Sequence, residues 1–402
     1  MIKEKRWVHI FLLIIGIGIG AYMFLCYTVN PLGYFTNQKG LDYFDNEDFA
    51  RKIKATYIYD HPGEVEAVTI GGSKSGSIDP SVMEELTGLH YYNFYMNVGN
   101  FADYLRYCTF FVKKCGIKEI TLVLSNFESE GYDQTYKGNA YSVPALLEGD
   151  LYTKVTEPLS YLMTDLKTVY KRWQQNRSYN ILKADCIYDG MRNRRSSVRR
   201  HAKDPDKIAN GPVLGKKDKQ LKELFTQKAA AQTDRPLNLE ALRQIRGLCA
   251  DNGVNLRVIV SASFMLDKAR YECDAFYDYF EEIVRICGEV WDFSDYNPIN
   301  MNPYNYYDRS HCTKEVSELV MRTALQEGFK GYDGFGQLLT PDNVHEAMQK
   351  RKADYEAYKE EYETTGDIVF ETIEDDSYIP WETEWSTPGM NKSAAIMAAL
   401  GK

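Results

Sequence analysis

Residues 65–80 read VEAVTIGGSKSGSIDP, and the fold class follows from this stretch. Val65 to Ile70 is short, largely apolar and rich in β-branched residues, which predicts a buried strand. Gly71 and Gly72 come next and permit a sharp turn with close backbone approach. Asp79 before Pro80 is a helix-start signal, because Asp can cap the first turn and Pro lacks an N–H that the first turn cannot use; the helix then runs through Met83 and Leu86. The rhythm continues with a strand over Tyr91 to Tyr95. An amphipathic helix is expected over Phe101 to Lys114, with Tyr104, Cys108 and Phe111 on one face, and a third strand over Ile117 to Ser125. Strand, helix, strand, helix, strand predicts an α/β fold with a parallel sheet whose strands are buried on both faces.

Further along, 129–144 reads as loop, Pro158 to Gln174 as a helix, and Asn176 to Gly215 shows no clear periodicity. Helices are predicted over Lys217 to Gln232, Leu237 to Asp251, Phe264 to Cys287 and Lys314 to Leu325. Leu256 to Val260 and Val290 to Phe293 read as the fourth and fifth strands. A charged helix from Pro341 to Thr364 is followed by an acidic tail that reads as loosely ordered.

The 402 residues are 44% hydrophobic and 26% charged, a mix that can bury a full core. A net charge of −9 argues against nucleic acid as the main partner, since phosphate binding needs a dominant basic surface. One run dissents: Arg192 to Lys207 reads RNRRSSVRRHAKDPDK, either a solvated insertion or a seat for an anionic polymer. Tyrosine is abundant at 31 copies, which suits clefts for polar or sugar-like ligands. The eight cysteines are scattered, with no CxxC pair and no paired-His helix, so neither a disulfide framework nor a metal site is expected, and no cofactor is implied. Cys312, beside His311, reads as a packing residue.

The chain opens MIKEKRWVHIFLLIIGIGIGAYMFLCYTVNP. Residues 7–27 form an apolar run long enough to cross a bilayer, and it ends in bulky residues where a signal-peptide cleavage site would need small ones. Lys3, Lys5 and Arg6 precede it, so the expectation is a single-pass anchor with residues 1–6 as a cytoplasmic tail. A lead-in over 28–64 and a main domain over 65–330, with an insertion at about 129–215, would then lie outside the cell. Residues 331–402 would form the terminal helix and tail.

A serine hydrolase needs a nucleophile on a tight turn, a base, and a group that orients the base. Ser73 follows the strand and the two glycines. Far downstream YYDRSHCTKEV places Asp308 three residues before His311 at the start of a helix, so one turn of backbone carries both the imidazole and its carboxylate. A P-loop is excluded by the lack of a glycine before Lys74, and the G-x-S-x-G elbow by Ser75 in place of its last glycine.

These blocks resemble the SGNH (GDSL-like) hydrolases, in order, over about residues 65 to 325. IGGSKSGSIDP is similar to the nucleophile block, with Ser73 at the serine position and Gly72 where the family has Asp. YYNFYMNVGN resembles the segment that brings a glycine to the oxyanion hole, here Gly99. LVLSNFES keeps Asn126 of the third block but has Leu124 and Phe127 for its Gly and Asp, and Asp308 to His311 matches D-x-x-H. The apolar N-terminus, NPLGYF and GFGQLLTPDNV resemble a bacterial membrane-tethered group. It includes relatives of the D-alanyl transfer protein of the teichoic acid pathway and of polysaccharide O-acetylation proteins.

The resemblance implies a three-layer α/β/α sandwich with a mostly parallel five-stranded sheet, preceded by one transmembrane helix. It implies a catalytic Ser73, Asp308 and His311, an oxyanion hole from Ser73, Gly99 and Asn126, and substrate contacts from Lys74 and Asn97, with solvent the alternative place for Lys74. The implied function is a serine esterase or O-acyltransferase acting on a cell-surface polysaccharide or teichoic-acid-like polymer. The alternative is a non-catalytic binding or scaffold protein that partners a membrane-bound O-acyltransferase.

Overall fold

The computed structural model describes residues 2–32, 34–35, 50–125, 132, 143–177, 188–192, 194–226 and 235–381. In chain order its main helices are α1 (Ile2–Val29), α2 (Ala50–Asp60), α3 (Pro80–Thr87), α4 (Phe101–Phe110), α5 (Leu151–Tyr161), α6 (Leu166–Arg177) and α7 (Arg195–His201). They continue with α8 (Lys217–Thr226), α9 (Arg235–Asp251), α10 (Asp274–Cys287), α11 (Lys314–Leu325) and α12 (Val344–Thr365). The strands are β1 (Ala67–Gly71), β2 (Tyr91–Tyr95), β3 (Glu119–Leu124), β4 (Asn255–Val260), β5 (Val290–Asp292), β6 (Tyr306–Asp308), β7 (His311–Cys312) and β8 (Gln337–Leu339).

One mostly parallel six-stranded sheet runs in the order β2-β1-β3-β4-β5-β8. The five expected strands are its parallel members. The sixth, β8, pairs antiparallel with β5 from Val290↔Leu339 to Asp292↔Gln337; its three residues were too short to show a period. β1 lies between β2 and β3 with every residue buried. Alternation sorts the side chains: Val68, Ile70, Phe94, Leu122 and Val260 pack with apolar residues of α4, α9 and α10 in one cluster. Ala67, Tyr91, Val123 and Ile259 join residues of α3, α8 and α11 in another.

Local chemistry accounts for the element ends. Asp79 accepts the Ser81 N–H at 2.9 Å and starts α3, which Gly88 closes at φ 72°. The helix expected over Pro158 to Gln174 is two helices. Asp150 is the effective cap, taking the Thr153 N–H at 2.7 Å, so Pro158 falls inside α5, and α6 begins after Asp165 caps Thr168. The helix expected over Phe264 to Cys287 is broken, because Asp267 and Lys268 both turn inward. Lys268 Nζ donates to the Ser294 carbonyl at 2.8 Å and lies 3.4 Å from the Tyr296 ring centroid.

The acidic tail is not loose over its described part. Asn302 Nδ2 donates to Thr372 O at 2.8 Å and Asn305 Nδ2 to Ser377 O at 2.8 Å, while Asn305 Oδ1 accepts the Ile379 N–H at 2.8 Å. Trp381 Nε1 donates to Tyr304 O at 2.7 Å, and the Trp381 ring stacks on His201 at 3.8 Å. Residues 366–381 thus strap across the segment that carries Asp308. Residues 382–402 lie outside the described part.

Candidate functional site

β1 ends at Gly71, and the chain makes a 3₁₀ turn over Ser73–Ser77. A Cβ on Gly71 would stand 2.7 Å from both Ser75 Oγ and the Val123 carbonyl, so the turn needs glycine there. Ser75 Oγ donates to Gly72 O at 2.8 Å, and Met96 N donates to Gly71 O at 2.8 Å. From β2 the buried Asn93 side chain donates to the Ser75 and Ile78 carbonyls at 2.9 and 2.8 Å. Asn93 therefore locks the turn; a lone Asn inside a Tyr-rich strand was its only trace in the sequence.

The second block is the tight antiparallel pair β6 and β7, in which Asp308 lies opposite His311. Asp308 Oδ1 accepts the Ser310 N–H at 3.0 Å, and Thr313 caps α11 through the Val316 N–H at 3.2 Å. This pair faces the turn. His311 Nε2 lies 2.8 Å from Ser73 Oγ, and His311 Nδ1 lies 2.8 and 3.0 Å from the two oxygens of Asp308. All three side chains are half-buried, so the serine is reachable from solvent while its partners are partly shielded.

The electrostatics suit a neutral base. Burial lowers the His311 pKa below the usual 6.5; Asp308 opposes this, and the guanidinium groups of Arg194 and Arg192 add to it. Burial alone would raise Asp308, but the His311 hydrogen bond and charge, the Ser310 N–H and Arg194 bring it down to about 2. At neutral pH the pair is a carboxylate holding the Nδ1–H tautomer of an uncharged imidazole, with Nε2 free to take a proton from Ser73.

Arg192 and Arg194 come from the basic run, which is not a solvated flap at this end. Arg192 N donates to Gly76 O at 2.9 Å and its guanidinium lies 5.8 Å from the Tyr95 ring centroid; Arg194 lies 5.4 Å from that of Tyr307. Its contacts are long-range, and nothing in the local periodicity announced them.

Lys74, expected at the substrate or in solvent, does not face solvent. It is buried, with Nζ donating to Ser263 Oγ at 2.8 Å and to Asp267 Oδ2 at 2.9 Å. The other Asp267 oxygen accepts from Ser310 Oγ at 3.2 Å, so one buried carboxylate ties together the neighbours of Ser73 and His311. Gly99 lies on the rim past β2, with its N–H donating to Met96 O at 3.3 Å within its own turn, and its carbonyl accepts from Tyr104 Oη at 3.1 Å. An oxyanion role for Gly99 would require that N–H to leave Met96. Asn97, also on the rim, is half-buried and its carbonyl accepts from Arg51 Nη2 at 3.0 Å. Asn126 lies outside the described residues.

Cys312 is buried, its Sγ 3.4 Å from Ser317 Oγ, and burial raises its thiol pKa. Among the described residues no group of three or more His, Cys, Asp or Glu is placed to hold a metal. A separate cavity of about 370 Å³ opens away from the triad, between Tyr27 at the end of α1, Tyr59 of α2 and Lys154 of α5. Neither the models of known protein families nor the curated proteins contain a match to this chain.

Proposed function

We propose that the chain is an extracytoplasmic, membrane-anchored serine esterase or O-acyltransferase on an SGNH-like three-layer α/β/α sandwich, acting on a cell-surface polysaccharide or teichoic-acid-like polymer. The observation that carries the chemistry is the relay from Ser73 Oγ to His311 Nε2 and from His311 Nδ1 to Asp308. In this reading Ser73 Oγ attacks an ester carbonyl as His311 takes its proton. The tetrahedral oxyanion is held by backbone N–H groups of the turn, starting with Ser73, together with the Asn126 amide. His311 then protonates the departing alcohol and leaves an acyl group on Ser73. Water or a sugar hydroxyl gives its proton to His311 and attacks the acyl-enzyme, and His311 returns that proton to the departing Ser73 Oγ.

Anchoring rests on α1, whose span Arg6–Val29 is long and apolar enough to cross a membrane. Lys3, Lys5 and Arg6 at its start favour an N-terminus in the cytoplasm. A tethered site favours a substrate held at the same surface.

The test has two levels. Purified protein should react with a serine-directed fluorophosphonate and hydrolyse a simple aryl acetate, and Ser73→Ala should abolish both. Ester-linked acyl groups on wall or exopolysaccharide should then differ between wild-type and Ser73→Ala cells at equal protein level. A Ser73→Ala chain that kept full cellular function would replace this reading with that of a scaffold for a membrane-bound O-acyltransferase.

A further inference from the structure

Helices α5 and α6 form a hairpin with an unusual surface. Along α6 Leu166, Tyr170 and Trp173 are 67%, 58% and 43% exposed, while Val169, on the flank of the same face, is 3% exposed. Positions i, i+4 and i+7 form one face of a helix, so these three large apolar side chains make a stripe that stays largely exposed. On α5 Leu151, Tyr152, Val155 and Leu159 are exposed as well, followed by Met163 in the connection. Single exposed apolar residues need no explanation, but eight large ones on two successive helices and their connection do. The sequence of α6, LKTVYKRWQQNR, contains no acidic residue, and Lys167 and Lys171 are exposed beside the stripe.

The place of the hairpin says what covers it. Val169 packs with Cys26 and Val29 of α1, and Thr164 in the connection accepts from Tyr22 Oη, with Cys26 Sγ 3.9 Å away. Tyr22 is five residues short of Tyr27, where the apolar run ends, which is about 8 Å along a helix axis. An amphipathic helix lying on a bilayer buries its apolar face to roughly that depth, about 5–10 Å, with lysines toward the headgroups. On its inner side the hairpin is fixed to the ectodomain: Tyr161 stacks on Tyr34 at 4.3 Å and its hydroxyl accepts from Lys52 Nζ at 2.9 Å.

We infer that α5 and α6 form an interfacial foot, seated in the outer leaflet beside α1 with its basic edge against anionic lipid headgroups. The inference rests on the reading of α1 as a spanning anchor. With two attachments instead of one, the domain cannot swivel freely about a single helix, so the Ser73 cleft keeps a set height and tilt above the lipid.

Tryptophan quenching separates the two readings, because Trp7 reports α1 and Trp173 reports the foot. The full chain is reconstituted in phosphatidylglycerol vesicles whose acyl chains are brominated near the carbonyl, and wild type is compared with Trp7→Phe and Trp173→Phe. Each conservative variant should remove its own quenched component, and the Trp173 emission should be lost in part in brominated lipid, as its depth of burial requires. If the Trp7 component is quenched and the Trp173 component is not, the anchor stands, the foot does not, and a protein partner covers the stripe. If neither is quenched, the anchor fails and takes the foot with it.

Discussion

Lys74 and Asp267 are 193 residues apart in sequence, yet Lys74 Nζ lies 2.9 Å from Asp267 Oδ2, and neither side chain is more than 3% exposed. Because Asp267 also accepts from Ser310, this pair joins the Ser73 turn to the hairpin that carries Asp308 and His311. Its worth is chiefly in registration: a buried ion pair adds little net stability, but removing one partner strands the other charge.

Lys74→Met should therefore destabilise the protein by about 3–5 kcal/mol in denaturant unfolding. The double variant Lys74→Met/Asp267→Leu should be less destabilised than either single one. A double variant whose loss equals the sum of the two would show that the pair is not coupled.

Ser73→Ala should lower esterase turnover by on the order of 10⁴-fold or more while leaving the unfolding midpoint near wild type, since the hydroxyl is half-buried and small. A residual rate within tenfold of wild type would place the nucleophile elsewhere.

The acid limb of the pH-rate profile should fall below pH 6.5, because burial and the nearby guanidinium groups lower His311 and the base works only when neutral. Arg194→Met removes one of those cations and should move the limb to higher pH. An acidward shift in that variant would mean that Arg194 does not act on His311.

His201 under Trp381 sets a different pH dependence. Burial lowers its pKa from 6.5 to about 4. The folded protein holds it neutral where the unfolded chain would protonate it, so its contribution is full above pH 6.5 and is lost as pH falls toward 4. His201→Gln should flatten the stability curve across that window, as read from melting temperature against pH.

The central strands and the D-x-x-H pair could be read from the sequence because their signals are local. VEAVTI before two glycines fixes a strand and a turn within eight residues, and Asp308 and His311 share one turn of chain. What escaped depends on partners far away. The burial of Lys74 follows from Asp267, the place of Arg194 from Tyr307 and Asp308, and the ordering of residues 366–381 from Asn302 and Asn305. Pro158 misled for another reason: the signal for a first helical position was outweighed by Asp150, whose carboxylate caps the helix a full two turns earlier.

The strap of residues 366–381 across the Tyr304–Asp308 segment also sets an order of events in time. A growing chain presents Ser73 long before His311, which follows it by 238 positions, and the strap that Asn302 and Asn305 hold comes later still. Every half-made copy therefore carries Ser73 without His311 beside it. The arrangement is completed late, with the last quarter of the polypeptide, and any chemistry that needs both side chains together waits until then.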